Sequence, residues 1–155
     1  DVANRYPDVA VEEVLADAIF ALVVRRPRAF DVILTTNLYG DFLSDLTAEL
    51  VGGLGVGGSI NAGHDICVAQ AAHGSAPDIM GQNVANPTAM ILSVAMLLDW
   101  LGERHERADL KDAARHLEAA LDQQLAEAAG RTRDLGGTLA TDAFAHALAE
   151  RIATD

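Results

Sequence analysis

The chain has 155 residues, half of them apolar, which is enough to bury a core and excludes a disordered polymer. Eleven Lys and Arg stand against 23 Asp and Glu, a formal net charge of -12 that would repel nucleic-acid phosphates and anionic membrane surfaces. The longest apolar stretch, around Ala89 to Leu98, is about half the roughly 20 residues of a bilayer span, and reads as a buried helix.

The N-terminal Asp-Val-Ala-Asn-Arg-Tyr-Pro-Asp has neither the basic start nor the apolar run of a signal peptide, and the lack of an initiator Met is expected of a truncated product. A helix is expected from about Glu13 to Arg25, burying Val14, Ala18, Ala21, Leu22 and Val24 and ended by Pro27. Phe30 to Thr35 is a compact run of branched residues that suits a strand buried on both faces. A second helix is expected over Gly40 to Val51, where Phe42, Leu43, Leu46, Leu50 and Val51 recur at helical spacing and Gly52-Gly53 stops them. Seven glycines between Gly52 and Gly74 suggest a flexible connection around one more strand, Asp65 to Ala72, with Gly52 to Gly58 as a domain crossing. The lone Cys67, flanked by Ile66 and Val68, is expected to be a buried structural thiol in a reducing compartment, with the cytoplasm as default.

Asn86-Pro87 is a helix start, Asn as cap and Pro at the first helical position, leading to Leu101 and a stop at Gly102. The next helix, about Ala108 to Ala129, carries Leu110, Ala114, Leu117, Leu121, Leu125 and Ala128 on one stripe and ends at Gly130. A last helix, capped by Thr141 or Asp142, runs to about Ile152. Strands alternating with helices indicate an α/β class without internal repeats.

Two places carry chemistry. Asp41 and Asp45 are four residues apart, so a helix sets both carboxylates on one face, where they can converge on a hard cation such as Mg²⁺ or Mn²⁺ or simply form a solvated acidic surface. They follow a strand, and strand carboxyl ends favour ligands in α/β proteins. Asp17, among Ala16, Ala18, Ile19 and Phe20, is a third candidate ligand, or a capping or ion-paired Asp. His73-Gly74-Ser75-Ala76-Pro77-Asp78-Ile79 is the other place. It is either an ordinary Pro-Asp turn or a small loop beside a bulky ligand, with Asp78 able to accept hydrogen bonds from ribose hydroxyls and to repel an extra phosphate. No G-x-G-x-x-G follows a strand.

These segments together resemble the β-decarboxylating dehydrogenase family, which includes isocitrate, homoisocitrate, 3-isopropylmalate and tartrate dehydrogenases. The most specific stretches are Asn37-Leu38-Tyr39-Gly40-Asp41-Phe42-Leu43-Ser44-Asp45 and His73 through Pro87, with weaker agreement at Tyr6-Pro7-Asp8, Phe30-Asp31-Val32-Ile33, Gly52-Gly53-Leu54-Gly55 and Arg131 to Gly137. The resemblance implies the C-terminal half of an isocitrate/isopropylmalate dehydrogenase-like α/β fold. Residues 1–51 would end a smaller dimer-forming domain, and 52–155 would form the C-terminal part of a larger cofactor-binding domain. It further implies that Asp41 and Asp45 ligate Mg²⁺ or Mn²⁺ and that Asp17 reaches the neighbouring subunit's site in a homodimer. His73, Gly74, Ser75, Ala76, Asp78, Ile79 and Asn86 would bind NAD, Asp78 favouring it over NADP. The activity implied is NAD-dependent oxidative decarboxylation of a 2-hydroxy di- or tricarboxylic acid. The family's Lys base, Tyr proton donor and substrate-gripping Arg cluster belong to upstream segments, so this chain alone is expected to be inactive. It departs from the family at Gln70, where Glu is usual, at Ala21-Leu22, where Met-Gln is customary, and at Met80, where Ala is common. The competing expectation is a catalytically inactive binding or regulatory module of the same fold, which would be expected to lose the metal ligands retained here.

Overall fold

The computed structural model describes residues 2–154. Its elements, in chain order, are α1 (Ala16–Arg25), α2 (Asn37–Val51), β1 (Gly58–Ala62), β2 (Cys67–Ala71), α3 (Thr88–Arg104), α4 (Ala108–Ala126) and α5 (Thr141–Thr154), joined by short 3-10 turns. The chain divides into two compact units, Asp1–Thr47 and Ala48–Asp155. The division falls inside α2, ahead of the 51/52 boundary expected from sequence.

In the first unit, α1 buries Ile19 and Val23 against Leu43 of α2, with Val14, Phe20, Phe30 and Leu46 packed around them. The inward face of α1 is therefore rotated from the expected one. Ala21 and Val24 face solvent, and the helix starts at Ala16, after the anticipated Glu13. The expected strand Phe30 to Thr35 does not form. A strand needs a hydrogen-bonded neighbour, and none of the described residues pairs with this run, which leaves Val32 86% and Leu34 96% exposed.

In the second unit, α2 ends at a glycine pair as expected: Gly52 and Gly53 take φ values of 137° and 116°, and Gly53 N–H donates to Ala48 O at 2.9 Å. The region expected to be only a flexible connection holds β1. It pairs antiparallel with β2 in the register Gly58↔Ala71 to Ala62↔Cys67. Gly-Ser-Ile-Asn-Ala has one strong strand former, so its conformation is set by its partner and by α3 and not by propensity. Two strands alone are marginal in water, and α3 stabilises them directly. Ser59 N–H donates to Ser93 Oγ at 3.0 Å, and that hydroxyl lies within donating distance of Gln70 O and Ala89 O. A Cβ on Gly58 would meet Leu92 Cβ at 2.8 Å, so only glycine permits this approach. Cys67 is half-buried and free, with Ile66 and Val68 exposed beside it, which corrects the expected buried thiol.

The core of this unit is Ala120, Leu121, Phe144 and Leu148, surrounded by Ile91, Leu92, Leu117, Leu125, Leu139 and Ile152. α3 buries one face only: Ala89, Ser93 and Ala95 are inside while Met90, Val94 and Met96 are exposed, so the apolar stretch around them is not wholly buried. The stripe of α4 is inward as expected except at Ala128, which lies past the helix end and is exposed. The C-terminus of α4 is satisfied by Arg131, whose Nε donates to Leu125 O at 2.6 Å and whose Nη2 donates to Ala126 O at 3.1 Å, a cation where the helix dipole favours one. No helix among the described residues is long and apolar enough to cross a membrane.

Candidate functional site

The first candidate site lies in the first unit. α2 begins at Asn37, so Asp41 and Asp45 occupy its second and third turns on a shared face, with Cβ atoms about 5–6 Å apart at this spacing. Both are exposed. The helix start reorganises around Asp41: Asn37 Nδ2 donates to its carboxylate at 3.4 Å, and Ser44 Oγ donates to its backbone carbonyl at 2.9 Å. The first contact is long and therefore weak, so the carboxylate keeps lone pairs for another partner. Asp17 sits in the first turn of α1, with Ala18 N–H donating to its Oδ1 at 2.9 Å. It is exposed, not set among apolar side chains as its sequence neighbours suggested, because Ile19 and Val23 carry the buried face. Among the described residues no three His, Cys, Asp or Glu side chains gather into a set that would hold a metal. The donor chemistry suits a hard divalent cation, yet the α2 pair offers only part of a coordination sphere.

The second candidate site lies in the other unit, after β2. His73 to Asp78 are all exposed and Ile79 is half-buried. His73 Nδ1–H donates to Gly74 O at 2.8 Å, which turns the ring back on its own loop. A side chain at Gly74 would meet nothing within 4 Å, so this backbone faces open space. Ala76 takes φ 43°, a left-handed conformation that costs a non-glycine residue about 1–2 kcal/mol. Such strain clusters at functional loops. Pro77 to Ile79 form one 3-10 turn that lifts the Asp78 carboxylate into solvent while Gln82 Nε2 donates to the Asp78 carbonyl at 2.8 Å.

Asn86 differs from the rest of its set. It is only 9% exposed, its Oδ1 accepts from Thr88 N–H at 3.0 Å, and its Nδ2 donates to Asp134 Oδ2 at 2.8 Å. The cap position of α3 falls on Pro87, one residue later than expected, and the helix starts at Thr88, so Asn86 ties that start from the position before the cap with both ends of its amide engaged within the protein. Asp134 is held in turn by Thr132 Oγ1 at 2.6 Å. The sequence reading missed Asp134. The Thr-x-Asp spacing of Thr132 and Asp134 was the local signal for a hydrogen-bonded turn, but nothing local linked it to Asn86, 48 residues away.

The exposed carboxylate pair on α2 and the small strained loop after β2 are the two candidate sites, one in each unit. Residues 1–151 match the family described as isocitrate/isopropylmalate dehydrogenase, and the chain belongs to that family. Isocitrate/homoisocitrate dehydrogenase of Thermus thermophilus is 50% identical over 152 residues, 98% of this chain and 43% of that protein. The mitochondrial isocitrate dehydrogenase [NAD] catalytic subunit 5 of Arabidopsis thaliana is 44% identical over 153 residues, 98% of this chain and 39% of that protein. The crystal structure of isocitrate dehydrogenase from Methylococcus capsulatus superposes with a TM-score of 0.89 at 42% identity, over 97% of this chain and 43% of that one. The fold is therefore that of isocitrate/isopropylmalate dehydrogenases, and the chain spans about two fifths of the length of these relatives.

Proposed function

We propose that this chain supplies the metal-binding carboxylates and the nucleotide-holding loop of an NAD- and Mg²⁺- or Mn²⁺-dependent enzyme that oxidatively decarboxylates a 2-hydroxy di- or tricarboxylic acid of the isocitrate or 3-isopropylmalate type. The observation that carries the proposal is the family match from residue 1 to 151 with all three candidate carboxylates retained and exposed. A catalytically inactive module would have no need to keep Asp41 and Asp45 accessible on one helix face. When bound, the metal supplies a Lewis acid for the substrate's 2-hydroxyl and adjoining carboxylate, and NAD accepts the hydride.

The residues of this chain would act by holding and orienting. Asp41 and Asp45 provide two hard oxygen ligands, and Asp78 accepts hydrogen bonds from the ribose hydroxyls. Gly74, Ser75 and Ala76 keep the loop small beside the adenosine, with His73 and the half-buried Ile79 flanking it, and Asn86 fixes the following helix start. The Lys and Tyr that move protons in this family have no counterpart here, so the chain alone would be inactive. The name of the Arabidopsis relative specifies NAD, in line with the role given to Asp78. The net charge of -12 argues against nucleic acid or an anionic membrane as a partner.

We further infer that 1–51 belongs to the dimer-forming domain and 52–155 to the cofactor domain of a homodimer. Leu38, Tyr39 and Phe42 are 60%, 43% and 53% exposed on α2, an apolar surface that a second subunit would cover. Asp17 of one subunit then completes the site that holds Asp41 and Asp45 of the other. Mixing tests this arrangement. Asp17→Asn and Asp41→Asn enzymes, each nearly inactive, are unfolded and refolded together. Random pairing leaves one site with no substitution in each mixed dimer, so activity should return to about a quarter of wild type. A mixture no more active than its parents would overturn the shared site.

A further inference from the structure

The loop from His73 to Asp78 is exposed, yet the chain that leaves it is tied at one place to the start of α5, which buries Phe144 and Leu148. Asn83 takes φ 56°, a left-handed conformation that Asn tolerates better than most residues. Its Nδ2 donates to Asp142 Oδ1 at 2.7 Å and its Oδ1 accepts from Asp142 N–H at 3.2 Å. The amide orientation is unambiguous, since the carboxylate only accepts and the N–H only donates. Asn83 O also accepts from Thr141 N–H at 3.0 Å, and Thr141 Oγ1 donates to Ala85 O at 2.5 Å.

These bonds answer a need of α5. The first N–H groups of a helix lack intrahelical partners, and here those of Thr141 and Asp142 are satisfied by a residue some 59 positions earlier. Two residues on, Phe144 is fully buried in the core, so the start of α5 is a fixed point. From Asn83 the tie continues through Gln82, whose N–H donates to Ile79 O at 3.1 Å and whose Nε2 donates to Asp78 O at 2.8 Å. The Asn83 amide and the Ala143 N–H also hold the Asp142 carboxyl below the usual carboxylate range, so it stays ionised and accepting at neutral pH.

We propose that Asn83 and Asp142 are positioning residues that fix the Asp78 turn against the start of α5 and thereby set the affinity of the loop for NAD. The proposal rests on the reading of that loop as the nucleotide site. Without the Asn83 side chain, α5 loses a donor to its carboxylate and an acceptor for its N–H, and the Pro77 to Gln82 turn is held only by its own short-range bonds.

The test uses the enzyme at its natural length and reads two quantities, amide hydrogen exchange over residues 77–82 and the dissociation constant for NAD by calorimetry. Asn83→Gly keeps a residue at ease with positive φ while removing the clamp. It should speed exchange in 77–82 and raise Kd for NAD by roughly five- to tenfold, the loss of one or two hydrogen bonds to a charged group. In a steady-state assay KM for NAD should rise with kcat nearly unchanged. Asp142→Asn retains an acceptor for Asn83 and Ala143 and should stay near wild type, whereas Asp142→Ala should behave like Asn83→Gly. Wild-type exchange and Kd in Asn83→Gly would overturn the positioning role, and Asp78→Ala would still weaken NAD binding if the loop reading stands. Faster exchange with an unchanged Kd, and no loss of NAD binding in Asp78→Ala, would overturn both.

Discussion

Asp41→Asn in the natural-length enzyme is expected to lower kcat/KM by roughly two to three orders of magnitude, because several kcal/mol of charge stabilisation at the substrate depends on a firmly held metal. Asn keeps the shape of the side chain and one oxygen while removing the negative charge. Folding should hardly change. Asp41 is exposed, its one side-chain partner among the described residues is Asn37 at 3.4 Å, and relieving its repulsion with Asp45 favours the helix by about 0.2–0.5 kcal/mol. The check is an activity titration with Mn²⁺ beside thermal unfolding in a chelator. A midpoint shifted to higher Mn²⁺ with an unmoved melting temperature is the expected pair of results. Wild-type activity at every metal concentration would show that the α2 pair is an inert acidic surface.

The second large effect is expected at Asp78. In Asp78→Lys, the bonds to the ribose hydroxyls are lost and an ammonium replaces the carboxylate that would face an NADP phosphate. Each change is a charge-assisted contact of about 1.5–3 kcal/mol before discounting for exposure, so the NAD to NADP ratio of kcat/KM should fall by roughly 10- to 100-fold. Measuring both cofactors on wild type and variant decides it, and an unchanged ratio would place Asp78 away from the ribose. Because Asp78 is exposed and its turn is held through its carbonyl and not its carboxylate, stability should be little affected.

What could be seen in the sequence was the part fixed by local chemistry. The glycine stop after Val51, the stripe of α4 and, to within a residue or two, the starts of α3 after Asn86-Pro87 and of α5 near Thr141 follow from spacing and composition within one turn, and the structure has them. The motifs around Asp41 and His73 were legible for the same reason, as contiguous runs, and both lie within the stretch that matches the family. What escaped depends on residues far apart. Phe30 to Thr35 has strand composition, but pairing requires a neighbour that composition does not supply. β1 has little strand propensity and exists through β2 and Ser93. Asp17 looked costly among apolar neighbours because its side of α1 was unknown, and a rotation that buries Ile19 and Val23 leaves it in solvent. The ties from Asn83 to Asp142 and from Asn86 to Asp134 cross 59 and 48 residues, and no local pattern announces them.

One assay bears most directly on the proposal that this chain belongs to a working metal- and NAD-dependent hydroxy-acid dehydrogenase. The natural-length protein is supplied with NAD, Mn²⁺ and in turn isocitrate and 3-isopropylmalate, and absorbance of NADH is followed together with release of CO₂. The expected result is stoichiometric NADH and CO₂ from one of the two acids, abolished by chelator and restored by Mn²⁺ or Mg²⁺. Tight folding with no NADH from either acid at saturating metal would contradict the claim and favour the inactive module of the same fold.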